Sequence, residues 1–148
     1  MCRFAREGDF DCFLLWGRYS LLDQSALDEF LPLCLKKGVS IVLGAPYESG
    51  ILASDLGQGA KFRYKDAPPE ILDRTRKIDE VCRRHDVPLK AAALQFAFGH
   101  PTVATVVVGT RSPEKIEENR NMLEWPVPGD LWEELKLEKL IREDAPSV

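Results

Sequence analysis

The first clear apolar run, Asp11 to Leu15, stops at Trp16-Gly17 and is followed by polar turn formers; it is too short for a helix and predicts a strand. Leu27, Phe30, Leu31 and Cys34 then recur at helical spacing. Asp23 or Ser25 stands where an N-cap belongs and Gly38 supplies a left-handed stop, so a helix is predicted through Lys37. Val39 to Leu43 is an uninterrupted apolar run of the kind found in strands covered on both faces. The stretch Gly44 to Pro69 follows neither period and predicts a loop, longer than compact domains carry without a functional reason. Pro69 suits a first helical turn, and Ile71, Ile78, Val81 and Cys82 form a stripe ending near His85, where Asp86 and Pro88 break the chain. A further helix is predicted over Leu89 to Phe98 and a β-branched strand over Thr102 to Val108. Ser112 caps a helix to about Leu123, and Gly129 to Ile141 forms the last helix after two prolines.

Strands alternating with helices imply a parallel sheet with right-handed crossovers, an α/β fold. Three strands cannot close a barrel, which needs eight strands and about 250 residues; the chain is either a small open sheet or a piece of something larger. No internal repeat is present.

At 148 residues there is room for one domain, which at this size buries roughly 70% of the surface its unfolded chain exposes. Twenty basic against 24 acidic residues give a net charge of −4, against an extended nucleic-acid footprint but compatible with a local anion site. No apolar run approaches the roughly 18 to 20 residues that cross a bilayer, and Met1 to Phe10 does not resemble a signal peptide, so a cytoplasmic protein without a membrane partner is expected. Cys2, Cys12, Cys34 and Cys82 lack metal-ligand spacing; no metal site is expected, and most should be reduced, buried thiols. Trp125 and Trp132 are expected to pack the last helix onto its neighbours. The charges of Lys61, Arg63 and Lys65, and of Arg74/Arg76 and Arg83/Arg84, read as solvated faces, although the first three could meet a phosphate.

Candidate chemistry concentrates in Thr105-Val-Val-Val-Gly-Thr-Arg-Ser-Pro-Glu-Lys-Ile-Glu-Glu-Asn119. A buried strand opens into a helix whose first turn offers free N–H groups, the Ser112 hydroxyl, and the cations of Arg111 and Lys115. Spacing alone leaves an anion site and an ordinary capped helix equally open. Trp16-Gly-Arg-Tyr-Ser-Leu-Leu-Asp23 and Leu43-Gly-Ala-Pro-Tyr-Glu-Ser-Gly-Ile-Leu52 also follow strands, and in barrels ligands sit at such carboxyl ends.

These three segments resemble strand exits of the aldo-keto reductases, and the likeness runs over the whole chain. The resemblance implies that residues 1–148 are a single partial domain, the C-terminal half of a (β/α)₈ TIM barrel with about three parallel strands and an extra C-terminal helix, which holds NADP or NAD. It places Gly109, Thr110, Arg111, Ser112, Lys115, Glu118 and Asn119 around the adenosine end. Ala45, Pro46, Ser49, Gly50 and Leu52 fall in the run that curls over the pyrophosphate. Tyr19 matches a ring facing the nicotinamide; without the resemblance it reads as a core or rim tyrosine. Trp16, at a strand exit, is a candidate wall of a sugar pocket. The family often has lysine where this chain has Gly109, which bears on binding of the NADP 2′-phosphate.

Within the family the three runs look most like the aldose and fucose or galactose 1-dehydrogenases, which oxidise the anomeric carbon of a sugar to a lactone. The family's Asp, Tyr, Lys and His tetrad lies on its first four strands, so no catalytic residue is assigned in this chain. Neither His85 nor His100 has a partner spacing that points to a general base. A non-catalytic nucleotide-binding or regulatory module and a simple scaffold are the alternative readings. An open half-barrel is further expected to self-associate through its sheet edges or to pair with an N-terminal half-barrel.

Overall fold

The computed structural model describes residues 1–54, 59–110 and 112–146. The chain begins with a short helix α1 (Cys2–Glu7), which the sequence pattern had not indicated. It is held from outside, because Lys37 Nζ donates to the carbonyls of Ala5 and Gly8 at 2.8 and 2.9 Å. Strand β1 (Cys12–Trp16) follows.

The helix expected from the first cap to Lys37 is divided: a 3₁₀ turn over Ser25–Leu27 precedes α2 (Phe30–Lys37). Pro32 accounts for the break, since its ring would meet the carbonyl four residues earlier in a continuous helix, whereas it is tolerated in the first turn of a helix restarting at Phe30. The N-cap position of the 3₁₀ turn is Gln24 and not Asp23 or Ser25, although Asp23 accepts the Ser25 N–H at 2.8 Å; Gly38 closes α2 at φ 69°.

Strand β2 (Ser40–Gly44) leads into the long connection, which is more structured than a loop. It holds a 3₁₀ segment over Glu48–Ala53 and a small antiparallel hairpin of β3 (Lys61–Phe62) and β4 (Lys65–Asp66). Helices α3 (Pro69–Arg84) and α4 (Leu89–Phe98) then bring the chain to β5 (Val103–Val107), α5 (Pro113–Glu124) and α6 (Gly129–Leu137). The last helix stops short of Ile141, and the chain turns at Lys139 in a left-handed conformation, φ 58°.

The main sheet is parallel with order β1-β2-β5. One face carries Leu15, Ile41 and Leu43, all buried, against the helices; α4, apolar apart from Lys90 and Gln95, buries Ala91, Ala92, Ala93 and Ala97. Its alanines let the helix lie close to its neighbours. Around it Phe96 packs on Tyr19 and Trp132 with ring centroids 5.0 and 6.0 Å apart, offset geometries that aromatic pairs favour. The opposite face, with the rows Leu14↔Val42↔Thr105 and Trp16↔Gly44↔Val107, is open: Leu14 is 62% and Val107 51% exposed. Helix α5 buries no residue at all.

Several side chains depart from expectation. Trp132 is buried but Trp125 is 39% exposed, so only the first anchors α6. Cys34 and Cys82 are buried, whereas Cys2 is half-buried and Cys12 lies exposed on the outer sheet strand; all four are free thiols. Arg74 is not a solvated cation, since it donates to the carbonyls of Leu140 and Leu22 and ties α3 to the C-terminal segment and the β1 exit. Among the described residues, no helix is long and apolar enough to cross a membrane.

Candidate cofactor cleft

The carboxyl ends of β2 and β5 lie side by side, because Gly44 pairs with Val107, and the connections leaving them diverge around a cleft of about 570 Å³. Ala45, Pro46, Tyr47, Ser49 and Gly50 form one wall; Val108, Gly109, Thr110, Lys115 and Asn119 form the other. Lys90 from the start of α4, Tyr64 from the hairpin, and Ala53 and Ser54 complete it. The first wall doubles back through successive left-handed residues, Glu48 (φ 45°), Ser49 (φ 61°) and Gly50 (φ 100°). At Gly50 no atom lies within 4 Å of an added Cβ, so backbone conformation and not space is what glycine provides.

The walls are joined by polar contacts. Tyr47 donates its hydroxyl to Asn119 Oδ1 at 3.0 Å, and Lys90 reaches Glu118 at 2.7 Å while lying 5.5 Å from the Tyr47 ring centroid. Burial first, and then the Glu118 charge, push the Tyr47 hydroxyl well above its ordinary pKa, so it stays protonated. The hydrogen bond from Lys90 holds the Glu118 carboxyl below the usual range.

Eight residues expected to hold the cofactor line this cleft: Ala45, Pro46, Ser49, Gly50, Gly109, Thr110, Lys115 and Asn119. Ser112 stands at the N-cap of α5 but its side chain makes no capping bond; Thr110 Oγ donates to its carbonyl at 3.1 Å instead. Glu118 does not line the cleft and pairs with Lys90, which does. The Leu52 side chain is fully buried in the core and does not line this cleft. Arg111 lies outside the described residues. The nicotinamide-facing ring expected at Tyr19 is corrected, because Tyr19 is 1% exposed, stacked on Phe96 and edge-on to His100, with its hydroxyl 3.4 Å from the Pro146 carbonyl. Its ring has no free face. Lys90, Tyr47 and Tyr64 were missed: Lys90 is brought in by the packing of α4, and the two tyrosines lie on a connection without periodicity.

Trp16 lies beside the cleft and not in it, half-exposed on the open sheet face and stacked on Tyr64 with centroids 5.8 Å apart and planes 8° apart. Arg63, expected on a solvated face, instead latches the hairpin. Its guanidinium contacts the Gly17 carbonyl and the Asp23 carboxylate and lies 3.5 Å from Glu48, an ion pair without hydrogen-bond geometry. Glu48 is fully buried; burial raises its pKa, opposed by the Ser20 hydroxyl donating at 2.8 Å and by Arg63. Burial also pushes Asp23 upward, but bonds from Ser25 and Arg63 bring it below its ordinary value. Arg63→Ala is expected to free the hairpin and lower stability by roughly 2 kcal/mol, because Glu48 and the Gly17 carbonyl lose their cation. Limited proteolysis should then cut near residues 59–66; an unchanged cleavage pattern and denaturation midpoint would refute the latch.

The family model for the aldo/keto reductases matches residues 1–137. The chain is 47% identical over 135 residues to a pyridoxal 4-dehydrogenase of Microbacterium luteolum, covering 91% of this chain and 40% of that protein. It is 39% identical to a D-threo-aldose 1-dehydrogenase of a Pseudomonas species, covering 95% and 43%. An aldo-keto reductase from Bacillus halodurans, in its apo form, superimposes with a TM-score of 0.71 at 25% identity over 95% of this chain and 46% of that one. The chain thus spans about two fifths of the curated relatives it matches. With its parallel strands corresponding to part of a (β/α)₈ barrel, the chain belongs to the aldo/keto reductase family of oxidoreductases.

Proposed function

We propose that this chain is the cofactor-holding part of an NAD(P)-dependent dehydrogenase that, with its barrel complete, oxidises an aldose at the anomeric carbon to a lactone. The observation that carries the reading is the convergence of two strand exits, separated by some 60 residues of chain, on one cleft with the residues expected to hold a dinucleotide. The cleft suits such a ligand: Thr110 and Asn119 offer hydrogen bonds, and Lys115 provides positive charge. A bound nicotinamide would supply the hydride acceptor; the chain's own residues grip and orient it.

A second substrate reading, pyridoxal, draws on the higher identity to the relative named for that compound. Both relatives are named as dehydrogenases, which supports oxidation as the direction of the reaction.

The test is calorimetric titration of the chain with NAD and NADP. Lys115→Glu should weaken both, NADP more, by placing a repelling charge in the anion-binding wall. Gly109→Lys should strengthen NADP relative to NAD by several-fold, since nothing within 4 Å obstructs a side chain there. Absence of binding to either dinucleotide would overturn the reading, and equal responses to both cofactors would remove the 2′-phosphate from this wall.

A further inference from the structure

We infer that Cys2 and Cys34 form a redox pair, which a low-molecular-weight disulfide closes into an intramolecular bridge that ties α1 to α2. Neither residue lines the cofactor cleft, so the pair is independent of the dehydrogenase reading.

The placement follows from how the two helices enter the sheet. Helix α1 turns through a short link into β1 and α2 into β2; those strands are parallel neighbours, so the helices pack side by side and run in the same direction. Their C-terminal ends are level, since Lys37 in the last turn of α2 donates to the Ala5 and Gly8 carbonyls that close α1. One helical turn back from Lys37 and from Ala5 stand Cys34 and Cys2. Cys34 is fully buried, and Cys2, half-buried, packs against the core that contains it. Burial first, and then the nearby charge of Cys2, raise the Cys34 thiol above its ordinary pKa. The other two cysteines lie elsewhere. Cys12 alternates with Phe13, whose ring packs on Phe30 of α2 at 5.6 Å, so Cys12 shares the open sheet face with Leu14 and Trp16 and points away from the helices. Cys82 belongs to α3, its thiol pushed up to about 12, chiefly by burial.

Exposure divides the roles. The Cys2 thiolate, within reach of solvent, attacks one sulfur of the small disulfide, forming a mixed disulfide and expelling one thiolate. Cys34, which solvent does not reach, then loses its proton and attacks the Cys2 sulfur, expelling the second thiolate. The two protein thiols give up two electrons and two protons, and the reagent leaves as two thiols. The raised Cys34 thiol makes the second attack the slower one. The bridge encloses the whole of the outer strand β1 in a covalent loop, which restricts the unfolded chain and stabilises the fold.

Oxidised glutathione is the probe, applied to the full 148-residue chain. Tryptic mapping without reductant should join the peptide ending at Arg3 to the one carrying Cys34, and reduction should separate them. In Cys12→Ser, where the exposed thiol cannot react, the intact mass should fall by that of two hydrogen atoms and the melting temperature should rise by roughly 5 to 10 °C. Cys34→Ala should instead retain a glutathione adduct on Cys2, with no such rise. Cys2→Ser should leave Cys34 unmodified, and it carries the test if Cys34→Ala does not fold. A lasting adduct on wild-type Cys2, no reaction there, a Cys2 bond to Cys12, to Cys82 or to a second chain, or glutathione on Cys34 of Cys2→Ser would each overturn the pairing.

Discussion

No reduced cofactor is expected to accumulate when this chain alone is mixed with NAD or NADP and a panel of aldoses or pyridoxal. Oxidation of a carbinol carbon removes the hydroxyl proton as well as the hydride, and a base positioned for that proton contributes about 10² to 10⁴ in rate. Neither Tyr47 nor Lys90 at the cleft, nor either histidine, is suited to that task. Tyr47 is buried, donates to Asn119 and is raised away from ionisation; Lys90 is engaged with Glu118. His100 is buried, with its ring nitrogen 2.8 Å from Thr102 Oγ and its pKa lowered by burial, which keeps it neutral, but it packs on Tyr19 away from the cleft wall. His85 faces Glu134 on α6. Absorbance of the reduced nicotinamide is the measurement. Turnover that follows the protein through successive purification steps would defeat the expectation, while activity arising only on addition of the remaining barrel strands would support the division of labour.

The second large effect concerns association. Strands β1 and β5 each present an unpaired edge, and the rows through Leu14, Val42 and Thr105 and through Trp16, Gly44 and Val107 form an uncovered, largely apolar surface. Exposed edges recruit other strands, and exposed apolar patches recruit other surfaces. Light scattering of the isolated chain should show dimers or larger species, and an N-terminal half-barrel should convert them to a one-to-one complex. Leu14→Lys combined with Val107→Lys should shift the chain toward monomer without lowering its melting temperature, since both positions are more than half exposed. A monodisperse wild-type monomer would contradict the open-face reading.

Much of the architecture was legible because the periodic signals were local. The Leu89–Phe98 helix, the Pro69 start and the Gly38 stop are each decided by neighbouring residues, and each lies where the pattern put it. The hairpin at residues 61–66 was not legible: its turn uses Arg63 and Tyr64 in left-handed conformations instead of glycine, and its stability comes from Asp23 and the Gly17 carbonyl, some 40 residues distant in sequence. Tyr19 failed for a related reason. A strand-exit position says that a side chain can reach a ligand, but Phe96, His100 and Pro146, which close around the ring, come from the other end of the chain. Arg74 and Lys90 likewise owe their roles to helix packing that no spacing rule encodes.

The register of the main sheet also orders events in time. Cys12 meets Ser40 across 28 residues, whereas Ile41 meets Val103 across 62. Closure of the longer loop costs only about 0.6 kcal/mol more per doubling, but it must wait for the intervening helices, and distant pairings of this kind slow folding. The unit of β1, α2 and β2 is therefore expected to assemble first and β5 to dock onto it late, bringing the second wall of the cleft last. A dinucleotide held between the walls, as proposed, would then stabilise contacts formed after the transition state. It should slow unfolding in proportion to its affinity and leave the refolding rate unchanged.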